Sequence, residues 1–363
     1  MKDIIVRWLY QLLFKTNIHK KMEKTLELKN QWELLKTEKP QLRIRDAAKE
    51  LETTEAELLA TGVGETVVRL RDDFRGILSA VEPLGKVMAL TRNDYCVHER
   101  KGVYTNVSFT GPMGLAVNPD IDLRLFMTQW ASAFAVSENG RKSLQFFGKD
   151  GIALHKIYVT DDSNVEAYES LVANFTAEDQ NEPLVINTLK TIVEEKRDEE
   201  IDAAGFQEKW LGLQDTHDFH NLLRKYGVTR TQGLRLAPAG HAVKITKDSL
   251  KEVLQKSSDT DLEIMIFVGS PGCIQIHTGP IKKLLQTGPW FNVLDPDFNM
   301  HLREDAIDTI WLVKKPTADG IVTSIEVFDT DGVIIVQFFG KRKPGIPENE
   351  TWRLMVNETA VIV

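Results

Sequence analysis

Residues 118–126 (NPDIDLRLF) are answered 177 positions later by residues 295–303 (DPDFNMHLR), and this echo decides how the chain is to be read. Asn118, Pro119 and Asp120 match Asp295, Pro296 and Asp297, and both copies run into an apolar, strand-like stretch. Working outward, Phe109 to Pro112 (FTGP) resembles His277 to Pro280 (HTGP) at a spacing of 168. Ser143 with Asp150 and Gly151 resembles Ser324 with Asp331 and Gly332 at a spacing of 181. A spacing that grows in one direction is that of a tandem duplication whose loops lengthen. The stretch Gln145 to Lys149 (QFFGK) recurs at Gln337 to Lys341, 192 positions on, and breaks this register, so it is read as coincidence. Two copies of this size form a pseudo-symmetric pair rather than a solenoid, and the cleft between such copies is a natural ligand site.

The chain has 363 residues, 42% hydrophobic and 27% charged, which suits a globular protein large enough for two domains with a core. Its 53 acidic and 45 basic residues leave a net charge of -8, against general nucleic-acid affinity, which needs cations to neutralise phosphates. Only two cysteines occur, Cys96 and Cys273, too few for a disulfide scaffold or a structural zinc site, so a cytoplasmic setting is expected. No run of about 18 apolar residues exists, so no stable membrane insertion is expected. Arg7 interrupts the apolar start and no small-residue cleavage site follows, so residues 1–25 read as an N-terminal extension rather than a signal peptide.

Residues 26–62 carry helical spacing, with Thr53, Thr54 and Glu57 resembling a capped helix start, and Asp72 to Val81 forms another amphipathic helix. From Lys86 the period becomes strand-like, including a hairpin of Ser143–Phe147 and Ile152–Val159 around the Asp150-Gly151 turn. Polar and charged stretches at 176–182 and 194–200 mark a linker, helices follow at 215–225 and 246–255, and strands resume from Ile264. The expected class is α+β: two tandem pseudo-symmetric halves, each a helical cap plus a large antiparallel sheet. The expected boundaries are 26–180 and 205–355 for the repeats, 181–204 for the linker and 356–363 for a tail.

No phosphate loop, dinucleotide fingerprint, nucleophile elbow or zinc-protease helix is present. Among the eight histidines, His217 and His220 lie three positions apart and so near one face of one helix. As a metal pair they lack a third ligand, and surface or satisfied core histidines is the plainer reading. A single axial imidazole on a haem iron is less demanding, since the porphyrin supplies the other four donors. His98 and His301 are further candidates at sheet edges. Arg124 sits in a strand otherwise apolar on one side; it is either functional or an ordinary ion pair with Asp120 or Asp122. Its duplicated partner is His301, so the copies place different groups at equivalent points. Arg230 follows the His217 helix and can reach the same cavity, whereas Lys341, Arg342 and Lys343 read as a solvated cluster.

At five stretches the chain resembles the bacterial haemin-degrading, or haem-utilisation, family of the HemS and ChuS type: 92–99 (RNDYCVHE), 118–134 (NPDIDLRLFMTQWASAF), 215–232 (DTHDFHNLLRKYGVTRTQ), 267–279 (FVGSPGCIQIHTG) and 315–328 (KPTADGIVTSIEVF). The resemblance spans about Leu26 to Met355. It implies a cytoplasmic protein that receives haem after import, from an importer on the cytoplasmic side. The family's proximal ligand carries to His217, its distal arginine to Arg124, a pocket arginine to Arg230, and a second haem-binding histidine of some members to His98. His220 stands where relatives carry an aromatic residue. Two activities compete: reductive or oxidative opening of the haem macrocycle with an external electron donor such as ascorbate or NADPH, with Arg124 catalytic, and storage of haem for transfer to a separate oxygenase. A duplication that binds a ligand other than haem is a third class.

Overall fold

The structure, a computed structural model, describes residues 23–187, 195–343 and 345–363. The N-terminal extension up to residue 22 and the middle of the expected linker, residues 188–194, lie outside the described residues.

Two antiparallel sheets of nine strands dominate the chain. The first has the order β1 (Val67–Leu70), β7 (Trp130–Glu138), β8 (Arg141–Gly148), β9 (Ala153–Ser163), β2 (Gly85–Arg92), β3 (Cys96–Gly102), β15 (Phe298–Arg303), β14 (Trp290–Leu294) and β13 (Leu284–Thr287). The second has β10 (Ala242–Ile245), β16 (Thr309–Thr317), β17 (Gly320–Phe328), β18 (Ile334–Gly340), β11 (Ile264–Ser270), β12 (Cys273–Gly279), β6 (Asp122–Phe126), β5 (Met113–Val117) and β4 (Val107–Thr110). Each sheet takes six strands from one copy and three from the other. The sequence reading gave each half its own sheet; instead, the duplicated segments that open the sequence analysis cross over and complete the partner sheet.

The register fixes which residues are equivalent. Cys96 pairs with Leu302 and Cys273 with Leu125, both relations shifted by 177, so Arg124 and His301 do occupy matching positions. The expected match of FTGP with HTGP does not hold. Thr110 ends β4 and Gly111 turns it at φ 53°, and the counterparts are Thr287 at the end of β13 and Gly288 at φ 56°, again 177 apart. His277 lies inside β12 opposite Ile266 and corresponds to Arg100 of β3. A Thr-Gly-Pro turn recurs wherever a chain needs a left-handed glycine, so this local likeness misled. The two QFFGK stretches fall on β8 and β18, which are not counterparts.

Helices cover the outer faces at one end. A helix over 23–38 (α1), α2 (Ile44–Glu50) and α3 (Glu55–Ala60) lie on the first sheet; α6 (Ala203–Leu211), α7 (Asp218–Tyr226) and α8 (Arg230–Arg235) lie on the second. The expected cap is present: Thr54 Oγ1 accepts from Glu57 N at 3.2 Å while the Glu57 side chain accepts from Thr54 N. Thr229 Oγ1 likewise accepts from Gln232 N at the start of α8, 175 residues on, without the reciprocal bond. The hairpin glycine locks this cap down: Gly151 has φ 75° and approaches so closely that an added Cβ would lie 2.5 Å from the Thr54 side chain. On the inner faces, α4 (Phe74–Ser79) and α5 (Val165–Phe175) build one core and α9 (Lys247–Asp259) and α10 (Glu350–Thr359) the other. Among the described residues no helix is long and apolar enough to cross a membrane.

Candidate functional site

On the second sheet the outer face runs beyond its helical cover. Strand β5 alternates so that Met113, Leu115 and Val117 turn outward at 37–43% exposure while Gly114 and Ala116 are buried. Through the ladder, Leu115 is beside Arg124, Arg124 beside Ile274 and Val117 beside Asp122. The result is an open apolar floor with one guanidinium on it. Arg124 is about one third exposed and pairs with Asp122, whose carboxyl burial pushes up and Arg124 draws down. The ion-pair reading of Arg124 therefore holds in part, with Asp122 as partner; Asp120 pairs instead with Arg100 at 2.6 Å. A guanidinium has five N–H donors, and a carboxylate held mainly through Nη1 leaves others free.

His217 is the N-cap residue of α7, not a residue within the helix, and its side chain is 87% exposed. His220 lies in the first turn of α7, also exposed. The difference between the two is Asp215. Its Oδ1 accepts from the His217 backbone N at 2.8 Å and sits 2.6 Å from His217 Nδ1. The Asp215 carboxyl is held below its usual range chiefly by that backbone hydrogen bond, with the His217 ring and the Arg342 guanidinium adding to it. Asp215 thus anchors Nδ1 and turns Nε2 outward as the free donor, the arrangement that orients ligating imidazoles. The segment leading into α7 is tied to the sheet beneath it, where Ala318 N in the β16–β17 turn donates to Gln214 O at 2.8 Å. Arg342, read from the sequence as one of a solvated cluster, lies just beyond β18 and near enough to act on the Asp215 carboxyl.

Arg230 reaches the same face but is already engaged. Its Nε and Nη2 bond the two oxygens of buried Glu326 at 2.8 and 2.9 Å, and Lys315 Nζ meets the same carboxylate at 2.6 Å. Both cations also lie on the Phe219 ring, 5.3 and 4.6 Å from its centroid. Burial alone would raise the Glu326 carboxyl, yet Arg230 and Lys315 hold it far below the carboxylate range; Lys315 is drawn down to about 8 by burial. Arg230, the pocket arginine implied by the resemblance, is thus also a fastener that pins α7 and α8 to the sheet. Sequence reading missed Glu326 and Lys315 because each stands in a strand whose neighbours read as ordinary alternation.

His98 is placed elsewhere. On β3 it points between the two sheets, is 0% exposed, and packs edge-on against Phe298 at 4.9 Å. Neither ring nitrogen has a partner, and burial first, then the neighbouring His277, keeps the ring neutral. The expectation of a second haem ligand here is corrected: alternation along β3 sends Val97 and Glu99 to the outer face and His98 to the inner one. Among the described residues no cluster of three metal-binding side chains occurs.

The chain matches the haemin-degrading HemS/ChuX domain over residues 52–175 and again over 227–359. It is 41% identical over 331 residues to the hemin transport protein HmuS of Yersinia pestis, covering 90% of this chain and 95% of that one. Among solved structures it is similar to holo-PhuS, a heme-binding protein from Pseudomonas aeruginosa, with TM-score 0.91, 46% identity, and coverage of 93% and 99%. It is also similar to ChuS, an E. coli heme oxygenase, with TM-score 0.83, 37% identity, and coverage of 92% and 99%. Two matches in tandem, with strands exchanged between them, place this chain in the haemin-degrading HemS/ChuX-domain family.

Proposed function

We propose that this chain is a cytoplasmic haem-binding protein of haem-iron acquisition that opens the haem macrocycle and releases iron with an external reductant such as ascorbate or NADPH. The observation that carries the reading is the pair His217–Asp215: an exposed imidazole at the head of a helix, its Nδ1 anchored at 2.6 Å, on a helix packed against β16 and β17 of the same sheet whose strand β6 carries Arg124. A planar apolar macrocycle matches that floor, and Nε2 supplies one axial donor. Arg124 has no lone pair to offer iron, so it leaves the opposite side of the ring open to substrate and stabilises negative charge that develops there. Among the relatives, ChuS is described as a heme oxygenase, which supports turnover.

Hemin transport, the role in the name of HmuS, favours a second reading: a carrier that stores haem and hands it to a separate oxygenase. Single-turnover absorption spectra of the haem complex with ascorbate or NADPH, in air and under nitrogen, separate the two. The enzyme reading expects the Soret band to decay in wild type and Arg124→Ala to bind haem while losing on the order of a hundredfold or more in rate. Haem that stays intact in wild type under every condition defeats the enzyme reading. Undiminished decay in Arg124→Ala defeats the role given to that residue.

A further inference from the structure

Between the two sheets lies a hydrogen-bonded chain of side chains that the haem reading does not use. Tyr104, in the link from β3 to β4, is 1% exposed, and its hydroxyl lies 2.5 Å from His155 Nε2 on β9. His155 Nδ1 lies 2.8 Å from Thr91 Oγ1, which in turn lies 3.5 Å from Cys273 Sγ. Among the described residues no other polar atom meets the Tyr104 hydroxyl, so the phenol donates to Nε2 and the ring proton of His155 sits on Nδ1, directed at Thr91. Burial, with Cys273 adding to it, pushes the Tyr104 phenol well above its ordinary range, and burial brings the His155 imidazole down to about 3. Both rings are therefore neutral at neutral pH, a donor and an acceptor with one proton between them.

The duplication shows that the fold does not need these polar groups. Phe146 pairs with His155 as Val327 pairs with Val336, and Thr91 pairs with His98 as Val268 pairs with Gln275. The other copy thus has Val336 for His155, Val268 for Thr91 and, 177 residues on from Tyr104, Ile281, all buried. The polar set occurs only beneath the strands that carry Arg124. Leu123 and Leu125, which flank Arg124 on β6, turn inward and pack in the same core as Tyr104. Tyr104 is separated from the apolar floor by the thickness of one sheet, a layer spacing of about 10 Å. Ile281 packs in the matching place behind β14 and β15.

We propose that Tyr104 is a redox site that returns an electron to haem over-oxidised by peroxide, with His155 as its proton acceptor. This rests on the haem reading of the second-sheet cleft. Hydrogen peroxide raises bound ferric haem by two oxidising equivalents. One is filled by an electron from Tyr104 while the O–H proton passes to His155 Nε2, which leaves a neutral phenoxyl radical, an imidazolium and haem one equivalent lower. Loss of the electron alone would bury a cation and loss of the proton alone a phenolate, so the two leave together. Ascorbate then returns an electron to the phenoxyl oxygen, and the proton comes back from His155.

The test mixes the haemin-loaded full chain with hydrogen peroxide and reads freeze-quenched samples by electron paramagnetic resonance, with ring-deuterated tyrosine to identify the radical. A tyrosyl signal is expected in wild type, absent in Tyr104→Phe and unchanged in Tyr168→Phe, whose hydroxyl meets only the Ser143 carbonyl at 3.1 Å. His155→Gln keeps an acceptor for the phenol but takes no proton, so its signal is expected to be weaker by on the order of tenfold or more, and it decides the matter if Tyr104→Phe fails to fold. Bound haemin with no tyrosyl signal, a signal that persists in Tyr104→Phe, or a full signal in His155→Gln overturns this inference and leaves the proposed function standing. A chain that shifts no Soret band binds no haemin and overturns the proposed function together with this inference.

Discussion

Glu55 and Arg230 occupy equivalent positions with opposite charge: each is the first residue of the helix capped by Thr54 or Thr229, 175 residues apart. Each belongs to an ion triad built to suit it, Glu55 buried and Arg230 half-buried. Glu55 meets Lys156 at 2.6 Å and also pairs with Arg92, whereas Arg230 shares Glu326 with Lys315. The duplication has kept the fastener and inverted its polarity. Removing one member strands the others: Glu326→Ala leaves two cations beside an empty carboxylate site, and a loss of about 3–5 kcal/mol is expected in urea unfolding.

The Glu55 triad also sets an acid limit. Burial would raise this carboxyl, but Lys156 and Arg92 bring it from 4.5 to about 2. A depressed folded-state value gives stability that is present above the unfolded value and is lost as pH falls through the folded one. Glu55 therefore contributes about 3 kcal/mol at neutral pH that drains away between about pH 4.5 and 2. In Glu55→Gln the pH dependence of unfolding free energy over that window should flatten, measured at fixed ionic strength; an unchanged slope would assign the acid sensitivity to other carboxylates.

Glu348 has the opposite sign. It is buried at 6% exposure ahead of α10, its Oε1 accepts from Thr323 N at 2.8 Å, its Oε2 has no hydrogen bond and only a 3.6 Å ion pair with Arg353 Nε, and burial outweighs that cation and raises it to about 7. A raised carboxyl value means that stability is greatest below the unfolded value of 4.5 and declines as pH rises through about 7. Glu348→Gln keeps an acceptor for Thr323 without the charge, so at pH 8 this variant should be more stable than wild type by on the order of 1–3 kcal/mol. Equal melting curves at pH 8 would contradict the burial argument.

Asp215 gives the cleanest test of how the ligand is held. Asp215→Asn keeps an acceptor for the His217 backbone but weakens the grip on Nδ1, and haem affinity is expected to fall about 10–100-fold. An equilibrium titration with haemin reads this directly. No change would mean that the imidazole orientation is fixed by the haem and not by Asp215.

Much of the fold was legible before the structure. The Thr54–Glu57 cap, the Asp150-Gly151 hairpin and the 177-residue match of Arg124 with His301 depend on local chemistry, which short-range patterns report. The exchange of β4–β6 and β13–β15 between sheets was not legible, because a strand carries no mark of which sheet it joins. The same limit governed His98: its face follows from the pleat of β3, a strand that the sequence reading had not drawn, so it was placed at an edge and is found between the sheets. Arg230 was placed near the cleft, but its ion pair was not legible, since its partner Glu326 lies 96 positions away.

The account stands on His217 as the donor to haem iron. The most direct measurement is resonance Raman of the ferrous haem complex of the full chain. The account expects an iron–imidazole stretching band there, lost in His217→Ala and retained in His220→Ala. A band that persists unchanged after His217→Ala would contradict it.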